Sequence, residues 1–180
     1  MKLLILITAF PLIFEAQLNS LVKKFFLDLP IKSELFDIRA SMQSNDNFYN
    51  INDSYSCLSA NFTYHPNIPN IKKRLPRIVI QFGDDNKSNI KKMLLSYNSE
   101  ETSECINRYN EIVSIFKPYM AKSENRTVVV GEDLKKVGTG VMMWPKSGAS
   151  FYCIKIGYDY NENNSTYTLE VLLFEKSIWK

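Results

Sequence analysis

The chain has 180 residues, with 22 Lys and Arg against 19 Asp and Glu, a formal net charge of +3 and 45% hydrophobic residues. That length suits one domain, burying about two-thirds of the surface of its unfolded form, and the ordinary apolar and charged fractions exclude a disordered or fibrous chain. So small a charge gives no electrostatic footprint for nucleic acid or an anionic membrane, and a single histidine with three cysteines leaves metal and His-assisted nucleophile chemistry poorly supplied.

Residues 1–20, MKLLILITAFPLIFEAQLNS, have an early lysine, an apolar run from Leu3 to Phe14 and a polar exit, the layout of a secretory signal peptide. The run is shorter than the about 20 apolar residues a bilayer crossing requires. The expectation is a cleaved leader over 1–20, a single domain over 21–180 and no membrane span once the leader is gone. Ala16 and a position nearer Ser20 are the two candidate cleavage sites, and a buried strand or helix is the competing reading of the apolar run.

A short strand or extended arm is predicted over 21–29, stopped by Pro30. Ser33 reads as the cap of a helix over 34–44, with Leu35, Ile38 and Met42 on successive turns. The Asn- and Asp-rich stretch 45–53 reads as loop. Strict alternation predicts a half-buried strand over 55–64, with Leu58, Ala60, Phe62 and Tyr64 on one face and Cys57 on the other. A Pro-rich basic connection follows, then strands over 77–82 and 90–97 paired as a hairpin. The strongest helical pattern is 98–120, where Cys105, Tyr109, Ile112, Val113 and Phe116 form one stripe, Asn98 caps and Pro118 ends it. Weaker strands are predicted over 127–130 and 140–144, with Gly138, Thr139 and Gly140 at a turn. A clear antiparallel hairpin is predicted over 151–158 and 167–174.

These elements add up to an α+β fold, a mainly antiparallel sheet with two helices packed on one face. The order of helix then strands occurs twice, which permits a duplicated unit of the architecture seen in beta-lactamase-inhibitor proteins. The opening FFLDLPIKSELFDIRASMQS resembles the start of uncharacterised exported bacterial proteins of small α+β fold, and CINRYNEIVSIFKPY is similar to their long helix. That resemblance implies export and an α+β domain, and it carries over no active-site residue.

Cys57 and Cys153 lie on the less apolar faces of their strands and Cys105 on the helix stripe, so a Cys57–Cys153 disulfide with Cys105 free is one expectation. Three buried unpaired cysteines are the other. His65, before Pro66 at a strand end, reads as a solvated loop residue without a catalytic partner. Asp84 with Asp85, and Glu132 with Asp133, are adjacent acids in turns. Lys72, Lys73, Arg74 and Arg77 form the densest basic run and the candidate anion contact. Asn52, Asn61, Asn86, Asn125, Asn163 and Asn164 fit N-x-[ST], a pattern with meaning only in a eukaryotic secretory pathway and due to chance in an Asn-rich bacterial chain.

The sequence therefore leads to an exported (periplasmic or secreted), non-enzymatic binding domain with a protein or cell-envelope partner, no nucleic acid and no cofactor. The alternatives are a carboxylate-dependent envelope hydrolase centred on Asp84 and Asp85, and an inhibitor or immunity protein of a secreted enzyme.

Overall fold

Leu18, Val22, Phe25, Phe26 and Leu29 recur at helical spacing. In the computed structural model, which describes residues 15–30, 33–54, 56–66, 76–83, 90–130, 135–146, 152–161 and 166–175, residues 15–25 form a helix, α1. All five of those side chains are buried. The strand or arm expected over 21–29 is corrected accordingly: the spacing is 3.6-periodic, and Pro30 lies beyond the helix end. The helix runs through both expected cleavage positions, and Leu18 belongs to the core. The apolar run from Leu3 to Phe14 lies outside the described residues.

Two backbone bonds close the C-terminus of α1: Asp28 N donates to Lys23 O at 2.9 Å and Leu27 N to Lys24 O at 3.2 Å. This is the paired 6→1 and 5→2 arrangement that usually ends on a left-handed glycine. Here Leu27 (φ 59°) and Asp28 (φ 60°) take the left-handed conformation instead.

The second helix, α2 (Leu35–Gln43), buries Ile38 and Met42 and leaves Phe36 75% exposed. Glu34, not Ser33, occupies its cap position, and no side chain caps it. An Arg39–Asp53 ion pair ties α2 to the next strand.

Eight strands follow: β1 (Phe48–Ser54), β2 (Cys57–Phe62), β3 (Arg77–Phe82), β4 (Ile90–Ser99), β5 (Met120–Val130), β6 (Lys135–Pro145), β7 (Tyr152–Asn161) and β8 (Thr166–Glu175). They make one antiparallel sheet in the order β1-β2-β3-β4-β8-β7-β6-β5. Two four-strand meanders thus meet where β4 pairs with β8, and the third helix, α3 (Thr102–Phe116), connects them. The expected pair of helices on a sheet is corrected to three helices, among the described residues, with one eight-stranded sheet. The additional helix is α1, which lay hidden in residues assigned to a leader and an arm.

Strand alternation puts Leu58, Ala60, Ile78, Ile80, Met93, Leu95, Ile156, Val171 and Leu173 on one face. They form a single core with Phe26, Ile38, Met42, Ile112 and Phe116 of the helices. The other face carries Arg77, Lys92, Ser96, Asn98, Lys155 and Glu170, half-buried or exposed, with a small apolar cluster of Met142, Cys153 and Phe174 towards one corner. Antiparallel sheets tolerate this because each strand can be apolar on one face only.

Local boundaries also differ from expectation. Asn98 does not cap α3; it lies within β4, where its Oδ1 accepts from Thr168 Oγ1 of β8 at 2.7 Å. Ser99 takes the local role, accepting from Glu101 N at 3.1 Å and donating to Glu104 Oε2 at 2.8 Å. Gly138, Thr139 and Gly140 form part of β6, not a turn. Gly140 sits opposite Gly157 in the β6–β7 register, and a Cβ on Gly157 would come within 3.3 Å of Thr139 O.

Candidate functional site

The end of α1, the turn from α2 into β1 and the segment after β2 meet around an open cleft of about 630 Å³. Lys24, Leu27 and Asp28 come from the first, Asn45, Asp46 and Asn47 from the second, and Thr63, Tyr64 and Pro66 from the third. The space is of the size that holds small molecules.

One asparagine fixes two of its walls. Asn47 Oδ1 accepts from Thr63 N (3.1 Å), Thr63 Oγ1 (2.7 Å) and Tyr64 N (2.7 Å), while its Nδ2 donates to Tyr64 O at 2.8 Å. Asn47 N in turn donates to Asn45 Oδ1 at 3.0 Å, a side-chain turn that Asn favours. Both ends of the Asn47 side chain are therefore engaged by the Thr63–Tyr64 segment, and Asn47 acts as a positioning residue. Lys24, Asp28, Asp46 and the 64%-exposed Tyr64 ring are left to face the cleft.

Beneath this wall, His65 turns inward. Its Nε2 donates to Phe25 O at 2.7 Å, and its ring packs edge-on to Phe25 (centroids 4.9 Å) and tilted against Phe62 (5.9 Å). Phe25 also meets Phe116 of α3 edge-on at 5.1 Å. Burial pulls the imidazole down to about 4, against a smaller opposing pull from the Phe25 carbonyl. The sequence reading of His65 as a solvated loop residue is corrected: it is 3% exposed. A bond to the carbonyl of a residue forty positions earlier is invisible to any local pattern.

A second hollow of about 20 Å³ lies on the open sheet face, above the Gly140–Gly157 pair, between Lys155, Asp159 and Glu170. Burial raises the affinity of the Glu170 carboxyl for its proton; Lys155 opposes this and Asp159 reinforces it. This hollow has room for about one water, not an organic ligand.

The remaining sequence candidates do not converge. Cys57, Cys105 and Cys153 form no disulfide. Cys57 on β2 and Cys153 on β7 share a sheet face but stand four strand steps apart, roughly 19 Å at about 4.8 Å per step, far beyond the span of a disulfide. The expected Cys57–Cys153 bond is therefore not formed. Burial, with help from Glu104 and Asp159, pushes the Cys105 thiol up to about 12, so it is an inert core group. Arg77 is exposed on β3 and donates to Ser59 Oγ at 3.0 Å. Lys72, Lys73, Arg74, Asp84, Asp85, Glu132 and Asp133 lie outside the described residues. Among the described residues no three potential metal ligands cluster, and no helix is long and apolar enough to cross a membrane.

Comparison with known proteins gives no family match and no curated relative. Among solved structures, the rolling circle replication initiator protein from Geobacillus stearothermophilus aligns over 80% of this chain and 66% of its own, with 11% identity and a TM-score of 0.25. The sequence expectation of an exported non-enzymatic interaction domain, with its hydrolase and inhibitor alternatives, finds no support in these comparisons and is not carried further. At that TM-score and identity the likeness assigns no function to the present chain.

Proposed function

We propose that this protein binds a small, hydroxyl-rich polar molecule, of the size and chemistry of a short saccharide, in the cleft between α1, the α2–β1 turn and the end of β2. The observation that carries this reading is the convergence of one ammonium (Lys24), two carboxylates (Asp28 and Asp46) and an exposed aromatic ring (Tyr64) on one space of about 630 Å³. Carboxylates accept from hydroxyls, an ammonium donates to ring and hydroxyl oxygens, and a tyrosine offers a flat apolar face with a polar tip. A ligand presenting hydroxyls around an apolar ring face satisfies all three at once. A strongly anionic ligand meets two carboxylates against one lysine.

The backbone supports the same assignment. Two successive non-glycine residues in left-handed conformation cost of order 1–2 kcal/mol each unless something over-determines them, and such strain gathers at ligand sites. Leu27 and Asp28 hold it at the cleft's lip. Asp28→Gly is accordingly expected to stabilise the free protein by about 0.5–1 kcal/mol, since Asp28 is exposed and loses no packing. The same change should weaken ligand binding by about tenfold or more through loss of a charged hydrogen bond. Calorimetric titration of both proteins with a panel of mono- and disaccharides checks this, alongside thermal unfolding. Saturable binding by the wild type, lost in a more stable variant, supports the reading. No binding by the wild type across the panel, or equal binding by both, contradicts it.

A further inference from the structure

We propose that Asn52 on β1 carries an N-linked glycan, and that the chain matures in a eukaryotic secretory pathway. The six N-x-[ST] triplets exceed what composition supplies. Seventeen asparagines and 24 Ser and Thr residues in 180 positions would give about two by chance. Their placement is selective as well. β1 and β5 are the two ends of the sheet order, and each carries one triplet. Asn86 falls in the connection between β3 and β4, and Asn163 and Asn164 in that between β7 and β8.

Asn61 is the exception that sharpens the assignment. It lies on the interior strand β2, half-buried, with Nδ2 donating to Pro76 O at 3.3 Å and Oδ1 accepting from Asn50 Nδ2 at 3.4 Å. Asn52 is exposed beside the irregularity that interrupts β1 pairing, and its Nδ2 donates only within its own strand, to Asn50 O at 3.0 Å. The apolar run from Leu3 to Phe14 supplies the entry signal the modification requires. This origin departs from the bacterial resemblance of the opening segment.

The chemistry is group transfer without redox. The asparagine Nδ2 attacks the anomeric carbon of a lipid-diphosphate-linked oligosaccharide. A new N–C bond forms, the anomeric C–O bond breaks, and the lipid diphosphate leaves with the bonding pair. The amide proton passes to a base of the transferase. A glycan on the terminal strand β1 also meets a structural need, because a sheet end presents unpaired N–H and C=O groups that invite pairing with another chain.

The test is secretion of the full chain from a eukaryotic host, followed by peptide N-glycosidase treatment and peptide mass mapping. The expected result is a mass loss on treatment, with Asn52 converted to Asp and Asn61 unchanged. Ser54→Ala should abolish the Asn52 modification while the protein is still secreted, since the Ser54 hydroxyl makes only a 3.4 Å surface bond to Cys57 O. A secreted protein with no glycosidase-sensitive mass, modification at Asn61 in place of Asn52, or a chain retained in the cytosol overturns the proposal.

Discussion

Acidification from pH 7 to pH 4 is expected to remove about 2–3 kcal/mol of stability through His65 alone. The imidazole sits near 4 in the folded protein against 6.5 in a free chain, because it is buried among Phe25 and Phe62. Between those two values the unfolded chain binds a proton that the folded one refuses. Stability is therefore full above pH 6.5 and falls as pH drops towards 4. For a domain of this size the midpoint temperature should fall by roughly 5–10 °C from this group. His65→Gln isolates the effect, since an amide can still donate to Phe25 O while carrying no titration. The variant should lose about 1–2 kcal/mol at pH 7 from the missing ring contacts, and the wild-type minus variant difference should shrink on acidification. Denaturant unfolding of both proteins at pH 7, 5.5 and 4 measures it. Parallel curves for the two would place His65 in water.

Phe25→Ala should have the largest effect of any single truncation here, about 3–5 kcal/mol. The Phe25 ring touches Phe26 (5.8 Å), His65 (4.9 Å) and Phe116 (5.1 Å), joining α1, the end of β2 and α3 under the cleft. Removing it leaves a cavity that three elements line and none can fill without moving. Each aromatic pair adds about 0.5–1.5 kcal/mol beyond its area burial. Phe36→Ala is the matched control: the same side-chain atoms are deleted from a residue 75% exposed on α2, so the expected change is within about 0.5 kcal/mol. Chemical denaturation separates the two, and similar midpoints for both variants would contradict the packing described.

The strands with one fully apolar face were legible because alternation states both the element and its orientation. The register confirms it: Ile154 with Leu173, Ile156 with Val171, and Tyr158 with Leu169. β1 was not legible. Only Phe48 of FYNINDS is buried, and the left-handed Asn50 interrupts the alternation at the irregularity between Tyr49 and Asn52, so an Asn-rich strand looks like a loop. α1 was masked by its own apolar content, which reads equally well as the end of a leader. The cysteine expectation used the right face and the wrong distance, because alternation reports which side a residue takes but not how many strands lie between. The cleft left almost no local signal. Lys24, Asp46 and Tyr64 are ordinary surface types, and only the meeting of three chain segments brings them together. The left-handed pair at Leu27 and Asp28 was equally hidden, since neither residue is glycine.

The most direct test of the cleft as the binding site is a two-dimensional amide NMR titration of the isotope-labelled protein with a saccharide that saturates it. The account predicts shift changes concentrated at Lys24, Asp28, Asn45, Asp46 and Tyr64, with the opposite sheet face at Lys92, Ser96 and Asn98 unmoved. Changes that map to that sheet face, or a spectrum left unaltered at saturating probe, would contradict it.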